Sequence, residues 1–323
     1  QSVWHGCAGG VGGEGPLQLV RLARRYYVRV AVRRVQTWWH ARAEKAVLSC
    51  TQVFISTIDC AHTVHQLLYE RGRALEVVIV DEAGCVPEWK MPILTTCSGA
   101  AISPELILLI GDQQQLPPFT LMRYDAAPVS ALERMTNALP LGSVKMLRTQ
   151  YRMPPEICDF ISRRFYQGNL LTAPATRLRC LGDSAACTPA ISWHKHNVHE
   201  DAVGTSYCNE MEIEMIINLI NTKRELDADQ LRITSETLVV IAFYSEQVRR
   251  LQAQLANIRG DVQVMTVDAA QGSEADYVVL SCVRANHFNS IGHAADERRF
   301  NVAMSRARKK LFIVGSTQTL VRP

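Results

Sequence analysis

Short apolar runs alternate with amphipathic stretches along most of the chain after residue 52. The runs at 77–80 and 238–243 are wholly apolar, a pattern typical of strands that are covered on both faces in a parallel sheet. Helical spacing of apolar positions occupies the intervals at 60–72, 156–166, 209–222 and 245–258. Further strands are predicted at 53–57, 76–80, 105–110, 262–265, 277–283 and 311–314, and a basic helix at 297–310. Alternating strands and helices predict an α/β protein with parallel sheets.

The same pattern predicts a division into three segments. Residues 1–50 form a Gly-rich loop followed by a basic segment, residues 51–144 a first α/β domain, and residues 145–323 a second domain. A chain of 323 residues with 47% hydrophobic content is long and apolar enough for two buried cores. Residues 167–205 are expected to form an irregular surface segment, because the spacing of their His and Cys residues matches no standard zinc site.

Two carboxylates stand where the predicted strand at 76–80 ends. Asp81 and Glu82 would project into the crevice where parallel sheets bind ligands. In phosphoryl transfer, an Asp placed there holds Mg²⁺, and a neighbouring acid orients or deprotonates the attacking water. Gln115 follows the next predicted strand and can sense a terminal phosphate through its amide. The alternative is an ordinary buried strand that happens to end in two acids.

The predicted basic helix near the C-terminus supplies the opposite charge. Arg299 and Arg306 are seven residues apart, so on a helix they share nearly the same face. An Arg presented there can neutralise charge on a nucleotide in the transition state, the role called an arginine finger. The alternative is a solvated basic helix.

Composition limits the classes of protein to consider. A net charge of +4 means that any site for a polyanion must come from local clusters of Lys and Arg. Ten cysteines without a CxxC pair are typical of reduced thiols in a cytoplasmic or nuclear protein. No run reaches 18 uninterrupted apolar residues, so no membrane partner is expected. The Gly-rich N-terminus lacks the Gly-Lys-Ser/Thr ending of a phosphate loop, and no GxxxxGK[ST] occurs elsewhere.

Five segments in order resemble motifs II to VI of superfamily 1 helicases, and in detail the up-frameshift and senataxin branch. They are Asp81 to Gly84, Gly111 to Leu116, Gln150 to Met153, Val267 to Glu274 and Arg299 to Ala307. The resemblance covers nearly the whole chain from Val53 onward. It implies two RecA-like parallel-sheet domains in tandem, of which the first is incomplete, in a family whose members move 5′ to 3′ along single-stranded RNA or DNA.

The resemblance also implies a role for each matching residue. Asp81 matches the Mg²⁺ ligand, Glu82 the water activator and Gln115 the residue that reports the γ-phosphate. Arg152 and Arg306 match the two arginine fingers. The nucleotide-binding positions are Tyr151, which stacks on adenine, Gly272 and Glu274 near the phosphates and ribose, and Arg299. The positions that contact the nucleic-acid strand are Thr57, Thr266 and Gln271.

The function implied is an ATP-dependent helicase or translocase core that uses ATP and Mg²⁺ and acts on single-stranded RNA or DNA. Regulatory partner proteins are not indicated by any motif. The family's phosphate loop would precede Val53 and is not in this sequence, so we expect activity in a longer parent and an inert chain as given. The alternative is a pseudo-helicase that binds nucleic acid or acts as a scaffold without turnover.

The basic segment provides a first test. Arg21, Arg25 and Arg29 would share one face of a helix and could track a phosphate backbone. Replacing all three by Ala is expected to weaken binding of a single-stranded oligonucleotide and to flatten its salt dependence, since fewer counterions are released. Affinity titrations at several salt concentrations measure both effects. An unaltered salt slope would return the segment to a solvated helix face.

Overall fold

The computed structural model describes residues 19–21, 51–70, 72–97, 100–101, 104–119, 129–177, 189–226, 237–256 and 262–320. The chain divides into two compact units, Gln1–Ile110 and Gly111–Pro323. Residues 111–144, which the sequence pattern assigns to the first domain, therefore group with the second unit. The boundary of the family's domains near residue 145 stays a prediction.

In the part of the first unit that the structure describes, short strands pair with one another and one α-helix is present. Strands β1 and β2 pair in parallel, as do β3 and β6, whereas β4 and β5 are antiparallel. The elements are β1 Leu19–Arg21, β2 Val53–Ile55, α1 Ala61–Tyr69, β3 Val77–Val80, β4 Thr96–Cys97, β5 Ala100–Ala101 and β6 Leu106–Leu109. Arg21 ends a strand, so the predicted helical face is wrong at this residue, and Arg25 and Arg29 lie outside the described residues.

Strand β3 is buried on one face only. Val78 and Val80 are buried, whereas Val77 is 49% exposed and Ile79 is 61% exposed. The prediction that this apolar run would be covered on both faces is therefore wrong in this structure. Among the described residues, β3 pairs with β6 in a two-stranded sheet.

The second unit is built on a five-stranded sheet in which every pairing is parallel. Its spatial order is β13, β12, β14, β15 and β9. The strands are β9 Ile191–His196, β12 Leu238–Ala242, β13 Gln263–Thr266, β14 Ala275–Ser281 and β15 Ala307–Ser316. Smaller pairs are parallel β7 Thr149–Gln150 with β8 Leu171–Thr172 and antiparallel β10 Asp201–Val203 with β11 Ser206–Cys208. The predicted α/β class with parallel sheets is confirmed.

Helices of the second unit pack apolar stripes against this sheet. Ile213, Ile216 and Ile220 recur at three- and four-residue intervals on α4, join Leu251 of α5 in one core, and are all at most 1% exposed. The helices are α2 Ala131–Ala138, α3 Pro155–Phe165, α4 Glu210–Leu226, α5 Ser245–Leu255, α6 Glu297–Met304 and α7 Thr317–Leu320. Within the described residues, no helix is long and apolar enough to cross a membrane.

Two sequence-based boundaries in this unit are wrong. The basic helix ends at Met304, not near residue 310, because β15 begins at Ala307 and pairs with both β14 and β9. The stretch at 167–205 is not irregular throughout, since β9 within it forms the edge of the central sheet.

A buried polar network ties α4 to the ends of the strands. The carboxylate of Glu212, 0% exposed, accepts hydrogen bonds from the Ser281 hydroxyl at 2.5 Å and the Val283 N–H at 2.9 Å, and lies 3.0 Å from Nε2 of His196. Gln247 donates to the Ser281 hydroxyl at 3.0 Å. A buried carboxylate with several donors is stable because each donor replaces a lost water.

Glu212→Ala should lower the free energy of unfolding by roughly 3 kcal/mol, because the Ser281 hydroxyl and the Val283 N–H would stay buried without this acceptor. Chemical denaturation of the chain measures the change. Glu214→Ala is the matched control, since Glu214 is exposed on the same helix, and it should change stability by no more than about 0.5 kcal/mol. Equal losses in the two variants would contradict this account of the network.

Candidate functional site

The two acids predicted to hold a metal and activate water lie at the end of β3. Asp81 and Glu82 are both exposed, and the N–H of Glu82 donates to Oδ1 of Asp81 at 3.0 Å. Glu82 has a positive φ of 52°, which turns the chain sharply after the strand. The N–H of Ala83 then donates to the carbonyl of Ile110 at 2.8 Å, so the turn is fastened to the end of β6. Both carboxylates thus stand at the carboxyl end of a parallel strand pair.

In the second unit, Arg306 is buried and contacts Gln115. Arg306 is 2% exposed, and its Nη2 donates a hydrogen bond to Oε1 of Gln115 at 3.2 Å. We call this hydrogen bond the Gln115–Arg306 contact. The other donors of Arg306 reach the carbonyls of Val302 at 2.9 Å and Ser273 at 3.3 Å and the hydroxyl of Ser305 at 2.8 Å. A buried cation is stable only when oxygen atoms replace its water shell, and residues from three sequence motifs supply them here.

Arg306 does not lie on a helix, so the prediction that it shares a helical face with Arg299 is wrong. Helix α6 ends at Met304, and Arg306 occupies the short turn before β15. Arg299 lies on α6, where its side chain pairs with Asp268 at 3.2 Å and Asp296 at 3.3 Å. The two guanidinium groups therefore have different partners.

Arg152 pairs with the carboxylate of Glu274. Its Nε lies 2.6 Å from Oε2 of Glu274, and its Nη1 donates to the carbonyl of Ser305 at 3.4 Å. The hydrogen bond from Arg152 lowers the pKa of Glu274, and the charge of Arg308 acts in the same direction. Both Arg152 and Arg306 thus contact residues 273–274 and 305, which brings the predicted fingers to one region of this unit.

The structure gives the exposure of Tyr151 and the backbone conformation of Gly272, and their roles toward a nucleotide stay predictions. The Tyr151 side chain is 68% exposed, while its carbonyl accepts a hydrogen bond from Thr176 at 3.1 Å. An aromatic ring held outside the core by an anchored backbone is available for stacking. Gly272 has a φ of +76°, a conformation that glycine adopts without the cost imposed by a side chain.

The three residues predicted to contact a nucleic-acid strand belong to different units. Thr266 ends β13, where its hydroxyl accepts from the N–H of Ala269 at 3.3 Å, and Gln271 is half-buried in the turn that follows. Thr57 belongs to the first unit and is exposed just before α1. Their contacts with a strand stay a prediction.

Three polar residues that sequence reasoning missed adjoin Gln115. Tyr166, at the end of α3, donates to Oδ2 of Asp112 at 2.5 Å. The side-chain amide of Asn301 donates to the Tyr166 hydroxyl and to the carbonyl of Gln114, each at 2.9 Å. Asp112 and Asn301 lie inside the quoted motifs and could have been singled out there. No sequence signal marks Tyr166, because only the tertiary structure brings it to this loop.

Comparison with known proteins agrees with this arrangement of motifs. A family profile described as "AAA domain" matches residues 128–318, and a second profile with the same description matches residues 28–123. "Probable helicase MAGATAMA 3" of Arabidopsis thaliana is 34% identical over 85% of this chain and 34% of its own length. "ATP-dependent helicase NAM7" of Saccharomyces cerevisiae is 34% identical over 76% of this chain and 26% of its own length.

"Probable helicase senataxin" of Homo sapiens is 32% identical over 77% of this chain and 10% of its own length. The chain thus spans about a third or less of the length of these relatives. The profile matches cover both the segment with the two acids and the segment with the arginines. The chain belongs to the AAA-domain family of superfamily 1 helicases, in the up-frameshift and senataxin-like branch.

Proposed function

We propose that this chain is part of the core of an ATP-dependent helicase or translocase that acts on single-stranded RNA or DNA. Family membership supports the general class, and the yeast relative is named as an ATP-dependent helicase. The Gln115–Arg306 contact at 3.2 Å carries the proposal furthest, because it joins a predicted phosphate sensor to a predicted arginine finger. A solvated basic helix, the alternative reading of this segment, would not bury Arg306.

The acids of the first unit suit a magnesium-bound triphosphate. Carboxylate oxygens are preferred Mg²⁺ ligands, and Mg²⁺ is commonly held by one or two carboxylates together with substrate phosphates. The described residues contain no group of three or more His, Cys, Asp or Glu that could hold a metal ion. Magnesium-bound ATP would supply the phosphoryl group whose hydrolysis drives strand movement. In this proposal Asp81 holds the Mg²⁺, and Glu82 orients and deprotonates the attacking water.

The second unit would bind the nucleotide through charge and stacking. Arg152 and Arg306 have guanidinium groups that suit anionic oxygens, and a phosphate would compete for them with Glu274 and Gln115. Phosphate binding would therefore weaken the contacts of Arg152 with Glu274 and of Arg306 with Gln115. Tyr151 would stack on adenine, while Gly272, Glu274 and Arg299 would lie near the phosphates and ribose.

Strand binding is proposed to be independent of base sequence. Thr57, Thr266 and Gln271 offer hydroxyl and amide groups that suit a phosphate backbone, which is present in any sequence. The same contacts serve RNA and DNA, since discrimination requires contacts with the 2′-hydroxyl. Lys and Arg side chains that pair with the same phosphates release counterions, so affinity should fall as salt rises.

Glu82→Gln should reduce ATP hydrolysis about 100-fold or more in a longer version of the chain that includes a phosphate loop before Val53, because an amide cannot accept the proton of water. Steady-state ATPase assays with and without single-stranded RNA or DNA measure this. Glu105→Gln is the matched control, an exposed acid in the same unit, and should leave the rate unchanged. A full rate in Glu82→Gln would contradict the assigned role.

ATPase assays on the longer protein without any substitution distinguish the enzyme from the pseudo-helicase. Hydrolysis that is stimulated by nucleic acid is the expected result. Strand binding without any hydrolysis would instead establish the non-catalytic alternative.

Arg306→Lys is expected to lower kcat about 1,000-fold with a small change in the KM for ATP, because an ammonium cannot reproduce the planar fork of the guanidinium. The matched control is Arg298→Lys, since Arg298 lies on α6 and pairs with Glu133 at 2.9 Å. Steady-state kinetics measure both variants, and thermal unfolding verifies that each is folded. A folded Arg306→Lys protein whose kcat stays within tenfold of the unsubstituted value would refute the finger assignment.

A further inference from the structure

The loop that carries Gln115 is held by hydrogen bonds from two helices outside it. The hydroxyl of Tyr166 donates to Oδ2 of Asp112 at 2.5 Å and accepts from Nδ2 of Asn301 at 2.9 Å. Burial and the negative charge of Asp112 raise the pKa of Tyr166 well above its ordinary value and outweigh the hydrogen bonds from the Asn301 and Gln115 side chains, which lower it, so the hydroxyl keeps its proton and acts as the donor toward Asp112. The end of α3 and the middle of α6 are thereby joined to the loop.

Asp112 organises the loop itself. Its Oδ1 accepts from the backbone N–H of Gln114 at 2.9 Å, and its Oδ2 accepts from Nε2 of Gln115 at 2.9 Å. Asn301 closes the arrangement by donating to the carbonyl of Gln114. The loop from Asp112 to Gln115 is therefore fixed at three points, which are the Gln115 side chain, the Gln114 N–H and the Gln114 carbonyl.

These contacts determine which end of the Gln115 amide faces Arg306. An ionised carboxylate only accepts hydrogen bonds, so the nitrogen end of the amide must face Asp112. The oxygen end then faces the opposite way, where it accepts from Nη2 of Arg306 at 3.2 Å. A reversed amide would place two donor groups against each other at Arg306 and an acceptor against Asp112.

We propose that Tyr166 is a positioning residue that sets the orientation of Gln115 toward Arg306 through the carboxylate of Asp112. Tyr166 lies in none of the five motifs and is placed by the fold of the second unit. Its effect on turnover rests on the proposed function, whereas its effect on the loop does not. Tyr166→Phe removes only the hydroxyl, so it isolates the hydrogen bond from the packing of the ring.

The first experiment uses the 323-residue chain and requires no nucleotide. Amide hydrogen exchange followed by NMR should be about tenfold faster at Gln114 in Tyr166→Phe, because Asp112 loses a strong donor and holds that N–H less well. Amides of β12 and β14 should exchange at unchanged rates. The matched control is Tyr207→Phe, since the Tyr207 ring packs beneath Arg284, in a different part of the unit. Unchanged exchange at Gln114 in a folded Tyr166→Phe protein would overturn the proposal.

The second experiment tests whether Tyr166 acts through Gln115 in turnover. In the longer protein with a phosphate loop, Tyr166→Phe should lower kcat about tenfold and leave the KM for ATP within about threefold. In a Gln115→Ala background the same change should lower kcat by less than about twofold, because the side chain it positions is gone. Equal reductions in both backgrounds would show an effect that bypasses Gln115 and would overturn the proposal.

The two experiments separate this inference from the proposed function. A longer protein that hydrolyses no ATP would defeat the proposed function, and amide exchange would still decide whether Tyr166 positions the loop. Active protein with unchanged exchange at Gln114 would defeat the positioning role alone. Thermal unfolding of every variant verifies that the comparisons concern folded protein.

Discussion

Arg306 carries a positive charge into the interior of the second unit, and the surrounding structure has to meet that charge with oxygen atoms. Burial of an unsatisfied cation would cost far more than any single hydrogen bond returns. The acceptors come from α6, from the turn after β13 and from the loop after β6. One buried guanidinium therefore imposes a common arrangement on segments that are distant in sequence.

The parallel sheet has polar groups at both of its ends: Arg306 lies at the amino ends of β14 and β15, where its carbonyl accepts from the N–H of Ala275 at 3.2 Å, and Glu212 lies at the carboxyl ends. All five strands of the central sheet run in the same direction, so the turns that follow β12, β13 and β14 leave from the same edge. The hydrogen bonds of Glu212 with the Ser281 hydroxyl and the Val283 N–H stabilise the carboxyl end of β14. They also hold Val283 at a φ of 69°, an unfavourable value for a β-branched residue that persists only where neighbouring contacts enforce it.

Several of the predicted residues prove to be partners of one another. Arg152 meets Glu274, and Arg306 meets Gln115, although each was singled out separately by its motif. The same side chains that would bind a nucleotide thus stabilise one another within a single unit. Any anionic ligand would have to compete with these contacts, and this competition offers a physical basis for coupling nucleotide binding to the arrangement of the motifs.

The sequence alone determined the α/β class, most strand positions and the motif residues, because apolar periodicity and motif spacing are local properties. It misplaced the end of α6 and missed β9, whose polar sequence is tolerated because the strand lies at the sheet edge and pairs with β15. Only the tertiary structure decided that Arg306 is buried and that Tyr166 reaches Asp112. The first contact joins two residues that are 191 positions apart in sequence, and the second joins two residues that are 54 positions apart. No local pattern in the chain encodes a pairing over such separations.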